Sequence, residues 1–172
     1  MQATTPKRYK CLAPWLVGMT VAATMLGIAT STLAQQSAAR VMAVSGAATA
    51  IDQQGRERPL EKGAELFSGD KVVTNETALV QMRLNDGGFM SVRPGTAMVI
   101  ERFVHDEKDA SKSSFLVALL RGGFRSITGL IGRTNPDAYQ IRSATATIGI
   151  RGTDHEPMLV LDTPGMQSLG AP

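Results

Sequence analysis

From Val80 to Asn85 the sequence Val-Gln-Met-Arg-Leu-Asn alternates apolar and polar side chains without a break. A period of two places Val80, Met82 and Leu84 on one face of an extended strand and Gln81, Arg83 and Asn85 on the other. A helix would scatter the same residues around its circumference. Asp86-Gly87 follows, then Phe89 to Arg93, so the segment predicts a β-hairpin with one wet face. Pro94-Gly95 ends it, and Met98 to Phe103 forms another short run. Upstream, Val41–Ser45 and Ala47–Ile51 flank Gly46, and Asp52 to Gly55 reads as a turn. Leu60, Leu66, Val72 and Val73 are separated by Gly63 and Gly69-Asp70, which keeps strands short there. Fifteen glycines lie beyond residue 34, with turn signals spread along the chain. That spacing belongs to an all-β sandwich, barrel or twisted solenoid.

Two segments read less simply. Phe115, Leu116, Leu119 and Leu120 fit a helical face as well as a strand, but the run is short and its neighbours are strands, which favours a strand. Tyr139 and Ile141 occupy odd positions, whereas Ala144, Ala146, Ile148 and Ile150 occupy even ones. A strand cannot change faces without a bulge or corner, expected near Arg142 to Ser143.

Residues 1–34 have the layout of a secretory signal peptide. Lys7, Arg8 and Lys10 form a basic start, an uncharged apolar centre follows, and Thr32-Leu33-Ala34 offers small residues for cleavage between Ala34 and Gln35. The rival is an uncleaved anchor, since the uncharged stretch from Cys11 to Ala39 has 29 residues and about 20 span a bilayer. The body is exported in either case, and the small and polar residues closing the stretch favour cleavage. Expected boundaries are a signal peptide over 1–34, a polar linker over 35–40, a β domain over 41–161 and a tail over 162–172. Cys11 precedes the apolar run, so no lipid-bearing cysteine follows it and the body has no thiol. Three of the 18 Lys and Arg lie in the leader, which leaves the body 15 cations against 15 Asp and Glu. A neutral body gains little from phosphate counterion release, so nucleic acid is not an expected partner.

Candidate chemistry is sparse. Asp154-His155-Glu156 and His105-Asp106-Glu107 hold the two histidines. Alternate residues on a strand face opposite ways, so only Asp154 and Glu156 of the first cluster could share an ion, short of the three or four ligands of a zinc site. His105 to Ser114 reads as a solvated loop. Ser68-Gly69-Asp70-Lys71 has the S-x-x-K spelling of penicillin-recognising enzymes, but Gly69-Asp70 marks a turn where that chemistry needs a helix. Gly122-Gly123 lacks the lysine and helix of a phosphate loop. Asn75-Glu76-Thr77 spells a glycosylation acceptor and carries no weight by itself. Arg121, Arg125 and Arg133 could form a basic edge, though a solvated face accounts for them. No catalytic residue, metal ligand or cofactor is expected.

Val44-Ser45-Gly46, Leu60-x-x-Gly63, Leu66-x-x-Gly69-Asp70-x-Val72-x-Thr74, Asp86-Gly87 and Pro94-Gly95-Thr96, taken in order, resemble the FecR domain family. Leu120 to Arg125, with Gly122-Gly123, and Thr147 to Thr153, with Arg151-Gly152-Thr153, continue the resemblance to about residue 161. It implies a twisted, solenoid-like all-β domain outside the cytoplasmic membrane, as in regulators that relay iron-citrate signals. The ten residues before the hydrophobic run and about ten after Leu161 leave the sigma-factor and transporter segments of those regulators unaccounted for. The expected function is a non-enzymatic exported module that binds another envelope protein or a surface glycan and touches a membrane only through an uncleaved leader. The alternatives are a membrane-anchored signalling relative and a hydrolase with an unrecognised site.

Two outcomes are expected from the residues alone. Gly152→Val at a tight corner costs about 1–3 kcal/mol, while His155→Ala stays within about 0.5 kcal/mol, as urea melts would show. Zinc, calcium and chelators leave the thermal midpoint unchanged. A shift of several degrees that Asp154→Ala with Glu156→Ala abolishes would contradict this.

Overall fold

Burial follows the alternation. The computed structural model describes residues 36–159, and in it Val80, Met82 and Leu84 turn into the core while Leu79 and Arg83 face outward. The first half of the domain is a run of short antiparallel strands: β1 (Ser37–Ser45), β2 (Ala48–Ile51), β3 (Glu57–Pro59), β4 (Glu65–Phe67), β5 (Lys71–Thr74), β6 (Leu79–Leu84), β7 (Phe89–Val92) and β8 (Ala97–Val104). Ser37 to Arg40, read from sequence as linker, already belong to β1, and Ala38 and Ala39 are fully buried in it. The polar neighbours Gln35 and Gln36 mask a strand whose inward residues are alanines. The leader, the cleavage point at Ala34 and Gln35, and residues 160–172 lie outside the described residues.

The segment that read two ways from sequence is the organising strand. β9 (Ser114–Ile127) is fourteen residues long and belongs to both halves of the sheet. Its first part pairs antiparallel with β8, and its last four residues pair antiparallel with β7, with Val92 opposite Phe124 and Phe89 opposite Ile127. The hydrogen-bonded path therefore runs β3-β2-β5-β8-β9-β7-β6-β1-β4, a curled half-barrel rather than two separate sheets. Beyond β9 the chain makes α1 (Leu130–Thr134) and returns as β10 (Tyr139–Arg142), parallel to β9 with Tyr139 opposite Phe115. The corner expected at Arg142–Ser143 is a hairpin into β11 (Thr147–Gly149). The alternating Ala144, Ala146 and Ile148 are exposed there and do not mark a buried face. β12 (Asp154–His155) and β13 (Met158–Leu159) then lie antiparallel along the free side of β9, from Ile127 back to Gly122.

The fold in β9 occurs at Gly122-Gly123. Gly122 has φ +73°, a region that L side chains rarely adopt. A Cβ there would stand 2.6 Å from Thr96 Oγ1 and 2.8 Å from Thr96 Cα; one on Gly123 would stand 2.7 Å from the Pro157 carbonyl. Buried hydroxyls pin this crease. Thr96 Oγ1 donates to Gly123 O at 2.9 Å and accepts from Gly123 N at 3.1 Å. Thr74 Oγ1 donates to Arg93 O at 2.7 Å and accepts from Thr96 N at 2.9 Å.

Inside the curl sit Phe115, Phe124, Tyr139, Leu66, Leu84, Met82, Met90 and Met98, each at most 1% exposed. Burial of such side chains stabilises by about 1.5–3 kcal/mol apiece. Asp86 ties the return crossover to this core. Its carboxylate accepts from Gly88 N at 3.0 Å and, 45 residues on, from Ile131 N at 3.2 Å in the first turn of α1. That is an N-cap supplied from a distant hairpin.

Gly122→Ala should lower stability by about 2–4 kcal/mol, because left-handed backbone and a clash with Thr96 add. Gly149→Ala, where an added Cβ meets nothing within 4 Å, should cost about 1 kcal/mol or less. Equal urea midpoints for the two variants would contradict the crease.

Candidate functional site

The family-motif positions lie mostly in turns and at chain crossings. Gly46, Gly63, Gly69, Gly87 and Gly122 have positive φ, and Gly123 and Gly152 do not. Asp70, 3% exposed, accepts from Phe67 N at 3.0 Å and pairs with Arg58, so it closes the Gly69-Asp70 turn. Ser68 of the S-x-x-K spelling exchanges hydrogen bonds with the Phe103 backbone, at 2.8 and 3.2 Å, in a turn between β4 and β5. Pro94 lies in the turn before β8, and its carbonyl lies 3.5 Å from the Thr96 hydroxyl. Arg151 pairs with Asp137 at 3.0 Å, and the Gly152 and Thr153 carbonyls accept from Thr128. Arg121 donates to Gly95 O and Arg125 to Asp154, so these two cations serve the fold rather than a free basic edge.

The Asp154-His155-Glu156 cluster divides as a strand must. Arg125 donates from Nε to Asp154 Oδ1 at 3.1 Å and from Nη2 to Oδ2 at 2.5 Å, and Glu156 pairs with Arg93. Arg125 holds the Asp154 carboxyl below its ordinary value. Both carboxylates that could have shared an ion already face guanidinium groups. His155 points the other way. Its ring stands edge-on to Tyr139, centroids 5.4 Å apart, and to Phe124 at 6.5 Å. Nε2 lies 3.3 Å from the Tyr139 hydroxyl, which also meets Ser126 Oγ at 3.0 Å. Nδ1 is buried without a partner. Burial pushes the His155 pKa down, against a smaller upward pull from Asp154, and pushes the Tyr139 phenol up. The sequence pattern gave no sign of this, because Tyr139, Ser126 and His155 come from three elements.

The ordering of Gly152 and His155 is therefore corrected. Gly152 has neither positive φ nor a neighbour within 4 Å of an added Cβ, whereas His155 packs against two aromatic rings. The loop after β8 is also more ordered than a wet connector. Asp106 Oδ1 accepts from Lys108 N and Asp109 N, Ser113 Oγ accepts from Asp106 N, and Ser113 is 2% exposed. The loop packs beside Asn85, Gly87, Leu130 and Thr134 around a cleft of about 490 Å³.

The outer face of the sheet is where chemistry is presented to solvent. Strand register sets Gln81, Ser91 and Arg125 in one row across β6, β7 and β9, and Arg83, Phe89, Ile127 and Asp154 in the next. Phe89 and Ile127 make an apolar centre, with Ile127 41% exposed. Gln81, Ser91 and Arg125 complete the wall of a shallow groove of about 350 Å³. An aromatic and an aliphatic side chain ringed by arginine and amide groups is the composition of contact surfaces, which concentrate aromatics and Arg.

The molecule is thus an all-β module whose buried polar groups hold turns and crossings and whose outward rows present Phe89 and Ile127 beside polar side chains. The family described as FecR protein matches residues 70–165, more than half the sequence, and the chain belongs to that family. The match begins at Asp70 and includes the crease, α1 and β10 to β13. No curated protein matches the chain. Among solved structures, one titled "Cell surface anchoring domain" shares 22% identity over 36% of this chain and 82% of that one, with a TM-score of 0.35, too slight a likeness to bear on the fold. Among the described residues no helix is long and apolar enough to cross a membrane.

His155→Ala should destabilise by about 1–2 kcal/mol, more than Gly152→Val, through lost ring packing. The pH response follows from the lowered pKa. A histidine less basic folded than unfolded stabilises fully above its ordinary value near 6.5, and that stability is lost as pH falls through the folded value. The groups facing the ring, Tyr139, Ser126 and Phe124, are uncharged, and the neighbouring Asp154 opposes the burial effect only in part. Urea midpoints between pH 7.5 and 5 should fall more steeply for the wild type than for His155→Gln; parallel slopes would contradict the assignment.

Proposed function

We propose that the protein is exported and acts as a non-enzymatic binding and signalling module of the cell envelope, in which the outer face of β6, β7 and β9 receives another envelope protein. The observation that carries this reading is the pair of matched rows, with Phe89 and Ile127 between Arg83 and Arg125. Membership of the FecR family and the leader-like start of the sequence support the envelope setting. The face belongs to a paired sheet flanked by the Arg125–Asp154 and Arg93–Glu156 ion pairs, so a partner would meet a surface formed before contact. Binding would bury the Phe89–Ile127 centre at about 25 cal/mol per Å² of apolar area, while Arg83 selects acidic or carbonyl-rich partners. A surface glycan is the competing ligand, since Phe89 with Gln81 and Ser91 also suits a sugar face.

A second reading, a relative anchored by an uncleaved leader, rests on the long uncharged stretch before Arg40. The two differ in one measurement, the intact mass of the exported protein. A start at Gln35 supports release, and retention of residues 1–34 supports the anchor. Partner recovery from an envelope extract should drop more than tenfold for Arg83→Glu and for Ile127→Ser, each worth about 2 kcal/mol at a contact centre, with urea midpoints near wild type. Recovery unchanged by both would refute this face, and turnover in an ester, glycoside and peptide screen would refute the non-enzymatic reading.

A further inference from the structure

A sheet edge is a template for another strand unless charge, proline or a covering segment blunts it. Among the described residues, β3, β4, β11 and the line of β12 and β13 each have a strand partner on one side only. Three of these edges are blunted. β3 reads Glu57-Arg58-Pro59, and Arg58 reaches across to the Glu65 carbonyl of β4 at 2.7 Å. Glu65 on β4 is itself held by Arg40 at 3.1 Å. The β12–β13 line carries Asp154, Glu156 and Pro157, and proline has no N–H to offer.

β11 has none of these devices. No residue from Ser143 to Ile150 is charged, and the flanking Arg142 and Arg151 pair with Glu101 and Asp137. All three residues of β11 are exposed. The ladder fixes which backbone groups are open. Ile150 N donates to Tyr139 O at 3.2 Å and Ser143 N to Ala146 O at 2.8 Å. By the alternation of an antiparallel pair, even-numbered residues aim their backbone groups at β10, and Thr147 and Gly149 aim theirs outward. The apolar row of the core also runs out at this edge. Ile100, Val117, Ile141 and Ile148 occupy matched positions on four neighbouring strands. The first three are at most 2% exposed and Ile148 is 50% exposed.

From these placements we infer that a second copy of the chain adds to the β11 edge, antiparallel, about a two-fold axis at Ile148. What selects a second copy over a foreign strand is that the segment matches itself, as an isologous contact requires. With the axis at Ile148, Thr147 and Gly149 exchange backbone hydrogen bonds with Gly149 and Thr147 of the second copy. Ile148 then meets its own counterpart at a non-hydrogen-bonded position, where side chains stand closest. Ala146 faces Ile150, and no like charges oppose one another across the axis. The core row Ile100-Val117-Ile141-Ile148 becomes continuous from one copy into the next. The interaction uses none of the residues of the outer rows on β6, β7 and β9.

The contact is short, so a weak dimer is expected, with a Kd of about 10–100 µM. Sedimentation of the full chain, expressed with its own N-terminal segment and recovered as the cell leaves it, should show reversible dimers over that range. Ile148→Lys and Ile148→Glu, at a half-exposed position, should keep the wild-type urea midpoint and weaken dimerisation more than tenfold. An equimolar mixture of the two should dimerise again, since opposite charges then meet across the axis. A wild type monomeric throughout, a dimer that Ile148→Lys leaves intact, or a mixture that stays monomeric would each overturn the inference. A foreign envelope strand captured at β11 by an otherwise monomeric chain would overturn it too.

Discussion

The crease at Gly122-Gly123 is the constraint on which the other contacts depend. β9 is a single fourteen-residue strand that pairs with β8 along its first part and with β7 along its last four residues. Left-handed backbone at Gly122 and a bare Cα at Gly123 let β9 turn between them. Thr96 then fills the inside of the turn and holds the N–H and the carbonyl of Gly123 through one hydroxyl. Because β9 pairs with β8 before the crease and with β7 after it, one pair of glycines sets the angle between the halves of the curled sheet.

Polar groups inside the curl work in the same way, each joining segments far apart in sequence. Asp86 caps α1 from 45 residues upstream. Tyr139, brought back beside Phe115 by the crossover, carries its hydroxyl to Ser126 and His155 on the other half. A buried hydroxyl or carboxylate is costly unless its partners are in place, so these contacts specify one arrangement as well as stabilise it. On the outside, arginine–carboxylate pairs join β12 to β9 through Arg125–Asp154 and Glu156 to Arg93 just after β7. The two surfaces proposed for partners, the outer rows around Phe89 and the uncharged β11 edge, lie outside these contacts.

Much of the fold was legible because strand alternation and turn glycines are local signals. Val80 to Asn85, Asp86-Gly87 and Gly69-Asp70 each declare their conformation within a few residues, and their order along the chain pointed to the family. Legibility failed where burial is decided by distant partners. Ser37 to Arg40 looked like linker because buried alanines do not stand out beside glutamine and serine. Ala144 to Ile150 looked like a strand with a core face, yet its apolar row lies at a sheet edge, which alternation cannot distinguish from an interior strand. Gly152 looked like a strained corner by composition alone. Thr96 and the Ser126–Tyr139–His155 contacts are tertiary, and no local pattern announces them.

If β9 is one folded strand serving both halves, the two halves cannot open separately. Native-state hydrogen exchange measures this directly, by comparing amides in the β8–β9 ladder with those in the β7–β9 ladder. Equal opening free energies on both sides of Gly122-Gly123, matching the global value from urea, are what a shared strand predicts. Exchange from the β7–β9 ladder at a clearly lower free energy, with the β8–β9 ladder still protected, would show two independent units and contradict the account.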